Sequence, residues 1–349
     1  MRTAAVTRLG SLRESDPELR GLVEVIDLPE QPLGPEDVRI DVAYAAICGS
    51  DPHIAEGAFG TDVPIGLGHE VSGVVAELGP GATKKGLAVG DRVAGNFLRF
   101  CGSCDHCLEG RQQFCRFAQE YNRPGMAESL VWHESQVYKL PDSVSLLRGC
   151  LLEPTSVAVR IVDKAAIAVG STVAICGGGP IGQLVLQLMK RSGAKSLTMI
   201  EPIAERRAMA QRFGADHVID PVSEDQAART DTITGGLGFD VVIDASGSLR
   251  AVEGLPPLVA RGGTLLYGAV YPHDYELPLN LFRYCYFNEL TITGVFVSPY
   301  AFPRALRMLP ELELDEFTDS VFPLERAADA FAAHLSGVHA KVIIDCGGS

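Results

Sequence analysis

The sequence predicts an α/β protein of two domains, with a doubly wound parallel sheet in its second half and a barrel-like β domain before it. Three observations carry this. A chain of 349 residues exceeds what one average core supports. From about Pro154, apolar runs at 171–176, 197–200, 217–219, 239–244 and 263–267 alternate with segments of helical apolar spacing, the pattern of a parallel sheet with right-handed helical crossovers. Before about Val93, short alternating runs are instead separated by Gly, Pro and Asp turns.

In chain order, the first half reads as strands at Thr3–Thr7, Gly21–Ile26, Asp37–Ala45, Glu70–Glu77 and Arg92–Gly95, with Ser11–Arg20 as an enlarged polar hairpin connection. The second half opens with an apolar run that ends in Gly177-Gly178-Gly179-Pro180-Ile181-Gly182 and continues into Leu184, Val185, Leu188 and Met189 at helical spacing. In such a strand–turn–helix the first glycine reverses the chain. The second admits a pyrophosphate and the third lets the helix pack on its strand. The free N–H groups of the helix start would face the phosphates. A second apolar run ends at Glu201, 19 residues after Gly182, where a carboxylate suits the ribose hydroxyls of an adenosine and repels a 2′-phosphate. The expected ligand is a dinucleotide, NAD in preference to NADP. The tail, ending in Lys341-Val342-Ile343-Ile344-Asp345, could belong to either domain.

Composition narrows the function. Apolar residues make up 46% and charged residues 21%, which describes a globular protein. No apolar run has the length of a membrane span and the N-terminus lacks a signal-peptide core, so the expected place is the cytoplasm, with no membrane partner. A net charge of −14 without a basic stripe argues against nucleic acid. Nine cysteines in a reducing compartment point to metal or thiol chemistry.

Four of those cysteines, Cys101, Cys104, Cys107 and Cys115, fall within fifteen residues and could close a tetrahedral zinc shell with no room for water, a structural site. An iron–sulfur cluster and reduced spectator thiols are the alternatives; against the cluster, the fourth cysteine comes late and no proline follows it. His106 reads as a solvated bystander. A second set of ligand types is dispersed: Cys48, His69, Glu70 and Glu153. Each has a plain explanation as a small buried residue, a loop histidine or a solvated carboxylate, and spacing alone does not unite them.

Taken together, the chain resembles the zinc-dependent medium-chain dehydrogenases, in particular the threonine and sorbitol (polyol) dehydrogenase branch. The likeness covers essentially the whole chain. It rests on Cys48-Gly49-Ser50-Asp51-x-His53, Gly68-His69-Glu70-x2-Gly73-x5-Gly79, Gly90-Asp91-Arg92-Val93, the four-cysteine loop, Leu152-Glu153-Pro154, the glycine turn and Gly337-x3-Lys341-Val342. The resemblance implies a GroES-like catalytic domain from residues 1–155 and 296–349, with a structural zinc lobe at about 96–120. A Rossmann NAD-binding domain would occupy 156–295, with a catalytic zinc between the two. It implies Cys48, His69 and Glu70 as zinc ligands, and Glu153 as a carboxylate that binds the metal or holds its water. Ser50 and His53 would form a proton relay, and Asp51 would orient His69. Ile181, Glu201 and Arg206 would contact the nucleotide, with Tyr267, Gly268, Ala269, Val295 and Phe296 beside the nicotinamide. The implied reaction is hydride transfer between a secondary alcohol and NAD in a homo-oligomer, dimer or tetramer, with one catalytic and one structural zinc. L-threonine 3-dehydrogenase is the alternative on the same machinery, and a non-catalytic nucleotide-binding protein the alternative of another class. Arg160 and Pro52 depart from the family pattern and bear on substrate identity more than on reaction type; Ala82 departs from it harmlessly, and the Ser11–Arg20 segment is longer than usual.

Overall fold

A computed structural model describes residues 1–118 and 124–348. Residues 119 and 120 of the expected zinc lobe and Ser349 lie outside the described residues. The chain divides into two compact units, Met1–Pro154 with Phe302–Ser349, and Thr155–Ala301.

The first unit opens with strands β1 (Arg2–Arg8) and β2 (Leu22–Asp27), an antiparallel pair joined by the long polar connection that the sequence suggests. Next come β3 (Asp37–Ala46), the short helix α1 (Asp51–Ala55), β4 (Ile65–Gly66), β5 (Glu70–Leu78) and β6 (Arg92–Gly95). The one-turn helix α2 (Asp105–Leu108), β7 (Ser129–His133), β8 (Val137–Lys139) and α3 (Leu146–Gly149) complete the N-terminal part. β4 pairs with β1, giving a small sheet ordered β2-β1-β4, while β3, β5, β6 and β8 follow one another in a larger antiparallel sheet with β7 also on β3. Alternation does the work in β3: Val38, Ile40 and Val42 point inward and pack with Val71, Val75, Leu130 and Trp132. Strands β4, β7 and β8 are not among those the sequence suggests.

Helix α4 (Leu152–Ala165) leads into the second unit. There the chain alternates β9 (Thr172–Cys176), α5 (Pro180–Arg191), β10 (Ser196–Ile200), α6 (Ala204–Arg212), β11 (His217–Ile219) and α7 (Gln226–Thr234). It continues through β12 (Phe239–Asp244), α8 (Leu249–Gly254), β13 (Val259–Tyr267) and β14 (Thr291–Gly294). All six strands are parallel, in the order β11-β10-β9-β12-β13-β14. This is the doubly wound order, in which winding reverses between β9 and β12 and leaves a crevice at the carboxyl ends of the strands. Both the Rossmann sheet and the predicted burial of Leu184, Val185, Leu188 and Met189 on α5 are present.

The chain then returns through α9 (Phe302–Met308), β15 (Val321–Pro323), α10 (Ala327–Ser336) and β16 (Ile343–Asp345). β16 lies antiparallel on β3 and parallel to β15, so the tail belongs to the first unit and completes its large sheet. Thr155 and residues 296–301, expected with the β domain, cluster instead with the second unit. Thr155 lies inside the continuous helix α4, and the Ser156 hydroxyl donates to Ser298 Oγ at 2.7 Å, tying both segments to that unit. Among the described residues no helix is long and apolar enough to cross a membrane.

Candidate active site

Strand register explains how distant residues meet in the first unit. The β3–β5 pairing sets Ala46 opposite Glu70, and the β16–β3 pairing sets Ile343 opposite Ala46. The Cys48 turn, the His69-Glu70 pair and Lys341 therefore converge at one end of three adjacent strands. One ligand atom each from Cys48, His69 and Glu70 lies within 4.8 Å of the other two. Glu153, at the start of α4, is buried nearby but is not part of that three-atom group.

Around this set the polar groups are interlocked. Asp51 is fully buried; its Oδ2 accepts the Cys48 N–H at 2.8 Å, which fixes the turn before α1. Its other oxygen has no hydrogen-bond partner and lies 3.7 Å from His69 Nδ1, an ionic rather than a hydrogen-bonding distance. Phe97 packs against the His69 ring with centroids 4.9 Å apart. Burial raises the Asp51 carboxyl, with His69 and the Cys48 N–H opposing it. Burial pulls His69 downward, yet Cys48, Asp51 and Glu153 hold it well above the ordinary imidazole value. Glu153 is pushed up to about 7, first by burial and then by the neighbouring carboxylate Glu70, with His69 and Lys341 opposing.

Ser50 precedes α1, and its hydroxyl makes no capping hydrogen bond. His53, one turn along, has a side chain 37% exposed with Nδ1 3.2 Å from Glu56 Oε2, so it opens to solvent. Sequence reasoning overlooked Lys341 as a site residue. The available signal was a lysine placed directly before an apolar run that ends the chain's core.

The four-cysteine loop closes on itself. Sγ–Sγ distances are 3.4 Å for Cys101–Cys115, 3.9 Å for Cys101–Cys107 and 3.9 Å for Cys104–Cys115. Four sulfurs at about 2.3 Å from one tetrahedral ion stand about 3.8 Å apart, whereas a cluster with iron at several corners spreads them farther. The Ser103 and Cys104 N–H groups donate to Cys101 Sγ at 3.4 and 3.3 Å and lower that thiol to about 6. Burial raises Cys107 to about 12. His106 is half-buried rather than solvated, its ring 6.0 Å from that of Phe114.

In the second unit the glycine turn sits at the crevice. A Cβ on Gly182 would lie 1.8 Å from Gly177 O, and Gly177 itself has φ +101°. No other residue fits at these two positions. Gly179, before Pro180 and Ile181 at the start of α5, faces open space, with only Arg206 Nη1 at 4.0 Å from the place of a Cβ. Glu201 is 3% exposed; its Oε2 accepts the Gly178 N–H at 2.6 Å and its Oε1 the Ile203 N–H at 2.9 Å. The expected ribose-facing carboxylate is thus also the clasp of the turn. Tyr267 ends β13 opposite Gly294 and leads into Gly268 and Ala269; its carbonyl accepts the Val295 N–H at 3.3 Å, and Phe296 is half exposed. Nearby, Asp244 at the end of β12 accepts the Ser246 N–H at 3.1 Å and the Tyr271 hydroxyl, and Tyr267 stacks edge-on to Tyr271. Of these partners, Asp244 and Tyr271 carried no sequence signal.

Comparison with known proteins agrees with both units. Residues 34–142 match the alcohol dehydrogenase GroES-like domain family, and residues 180–311 match the zinc-binding dehydrogenase family. The chain is 36% identical to 2-dehydro-3-deoxy-L-galactonate 5-dehydrogenase of Pseudoalteromonas atlantica, over 89% of this chain and 92% of that one. It is 32% identical to sorbitol dehydrogenase of Rattus norvegicus, over 93% of this chain and 93% of that one. Among solved structures, galactitol-1-phosphate dehydrogenase from Escherichia coli superposes with a TM-score of 0.85 at 26% identity, covering 99% of this chain and 100% of that one. The chain therefore belongs to the zinc-dependent medium-chain alcohol dehydrogenase family, with the GroES-like and Rossmann domains of that family.

Proposed function

We propose that the protein oxidises a secondary alcohol of a polyol, sugar alcohol or related polyhydroxy compound, reversibly and with NAD, using one catalytic and one structural zinc. The observation that carries this reading is the convergence of a thiol, an imidazole and a carboxylate from positions 48, 69 and 70. The residues fit a metal. Asp51 Oδ1 is buried without a hydrogen-bond partner, a state that is costly unless positive charge stands nearby. The mixed sulfur, nitrogen and oxygen donors are those of a zinc centre with an open position, while the closed sulfur tetrad of the cysteine loop suits a structural ion.

When bound, zinc acts as a Lewis acid on the alcohol oxygen and nicotinamide accepts hydride. Cys48, His69 and Glu70 hold the metal, with Glu153 beside it as a further carboxylate. Asp51 keeps Cys48 and His69 in place, through the backbone of one and the ring of the other. Ser50, whose hydroxyl is not used as a cap, takes the proton of the alcohol and passes it towards His53, which releases it to solvent. In the second unit, Gly177, Gly179, Pro180, Ile181 and Gly182 take the pyrophosphate at the start of α5, and Arg206 flanks the adenosine side. The charge of Glu201 disfavours a 2′-phosphate. Tyr267, Gly268, Ala269, Val295 and Phe296 line the nicotinamide end.

Two further statements belong to the same reading. The protein works in the cytoplasm, supported by nine cysteines that are all free. It is a homo-oligomer, supported by Leu281, Phe282, Tyr286 and Phe287, each more than half exposed beside the edge strand β14.

The test is turnover of an alcohol panel including sorbitol, inositol-like alcohols, sugar acids and threonine, followed as NADH absorbance, with metal analysis. Two zincs per chain are expected, and Cys48→Ser is expected to lose one of them and all turnover while NAD binding persists. Protein that is fully loaded with zinc yet oxidises nothing in the panel would favour a non-catalytic role.

A further inference from the structure

Lys341 is the one buried lysine or arginine among the described residues. Its side chain is 3% exposed and that of its partner Glu70 is 2% exposed, 271 residues apart in sequence. Nζ donates to Glu70 Oε1 at 2.7 Å, and although Oε2 is also close, at 2.6 Å, that contact lacks hydrogen-bond geometry and Oε2 remains without a hydrogen-bond partner. The ammonium thus hydrogen-bonds one oxygen of the carboxylate and pairs electrostatically with the other, in a residue whose ligand atom stands within 4.8 Å of those of Cys48 and His69. Facing this single cation are the buried carboxylates of Asp51, Glu70 and Glu153, and the thiol of Cys48.

We propose that Lys341 is a positioning residue of the metal centre: by pairing with the Glu70 carboxylate it makes Glu70 a charge-weakened donor and thereby sets how tightly the ion is held. The proposal rests on the assignment of Glu70 to the zinc set. Its physical basis is twofold. An ammonium drawn onto a carboxylate reduces the charge that oxygen offers to a metal, and it also repels a divalent ion across a short distance of low-dielectric interior. A carboxylate that donates less charge leaves a bound metal a stronger Lewis acid, so a resident cation that draws on Glu70 has a use. Strand β16 delivers that cation from the far end of the chain, through the Ile47 N–H to Val342 O bond at 2.9 Å.

A purely structural ion pair predicts the opposite sign. Removing one partner of a buried pair ordinarily disorganises its surroundings, which would weaken metal binding. The experiment is zinc affinity by competition with a chromophoric chelator, together with the visible spectrum of the cobalt(II)-substituted protein. Lys341→Met is expected to tighten the zinc that Cys48→Ser abolishes by about tenfold or more and to shift the cobalt ligand-field bands. Lys341→Arg keeps the charge and is expected to stay within about twofold of the parent. In a Glu70→Gln background, Lys341→Met is expected to leave the cobalt spectrum unmoved, because the lysine acts on that spectrum through Glu70. If Lys341→Met does not fold, Lys341→Gln is read by the same criteria. Affinity that falls or stays within twofold, with an unchanged spectrum, overturns the role of Lys341. A parent protein from which Cys48→Ser removes no zinc overturns the underlying site assignment instead.

Discussion

Glu201 does two things with one carboxylate, and a single substitution disturbs both. Its oxygens take the N–H groups of Gly178 and Ile203, holding the glycine turn against the end of β10, and in the proposed function its charge faces the adenosine ribose and disfavours a 2′-phosphate. Hydrogen bonds to a charged acceptor contribute about 1.5–3 kcal/mol each, so Glu201→Ala should loosen the turn as well as remove the charge. The expected outcome is NAD affinity weakened by roughly tenfold or more and a preference shifted towards NADP. Glu201→Gln keeps an acceptor oxygen and should relax the discrimination with a smaller loss of stability. Titrating both variants with NAD and NADP, alongside Tm, separates the two roles; unchanged cofactor preference in both would remove Glu201 from the nucleotide site. Gly182 is more absolute. With a carbonyl oxygen 1.8 Å from where a Cβ would stand, even alanine forces the turn apart.

Elements of structure place these residues more than they stabilise them. Helix α1 is only five residues long and gains little from its own hydrogen bonds. It is held by Asp51 at its start, by Pro52 in its first turn, and by the Gly10 N–H to Ala55 O bond at 2.9 Å from the long β1–β2 connection. That connection, residues 9–21, thereby supports the segment carrying Ser50 and His53 through Gly10. At the other extreme, β14 is an edge strand whose residues are largely exposed, and the π-type turn Phe282–Phe287 beside it presents aromatic rings to solvent. A monomer seldom leaves such a patch open. Phe282→Asp should therefore lower the oligomeric state measured by analytical ultracentrifugation without altering zinc content. A parent that sediments as a monomer at micromolar concentration would show that the patch serves something else.

For the molecule as a whole, the first unit is assembled from both chain ends, so its integrity depends on contacts that close only late in the chain. The four-cysteine loop has few buried side chains of its own: among its described residues, Cys104 and Cys107 are the buried apolar ones. The structural ion proposed there would supply order that packing does not. Cys104→Ser should lose one zinc, lower Tm by several degrees and increase proteolysis between residues 100 and 118, while the zinc dependent on Cys48 remains. Metal analysis with thermal melts checks this, and an unchanged Tm with both zincs present would refute it.

Much of this was legible in the sequence for physical reasons. Apolar periodicity marked the parallel strands, glycine spacing marked a turn that sterics allow to no other residue, and thiol spacing within one loop marked four sulfurs that the fold gathers together. Short or exposed strands such as β4, β7, β8 and β14 left no period to read. Nor could spacing say whether Cys48, His69, Glu70 and Glu153 meet. That was decided by register: the Ala46–Glu70 and Ala46–Ile343 pairings bring three of those residues and Lys341 to one sheet end, and leave Glu153 just outside the ligand group. The sequence by itself determined which chemistry the residues can perform, because donor type and turn sterics are local properties. Which of them act together, and the buried cation set against them, only the tertiary structure decided, because antiparallel pairing between distant strands is not encoded in any one stretch of chain.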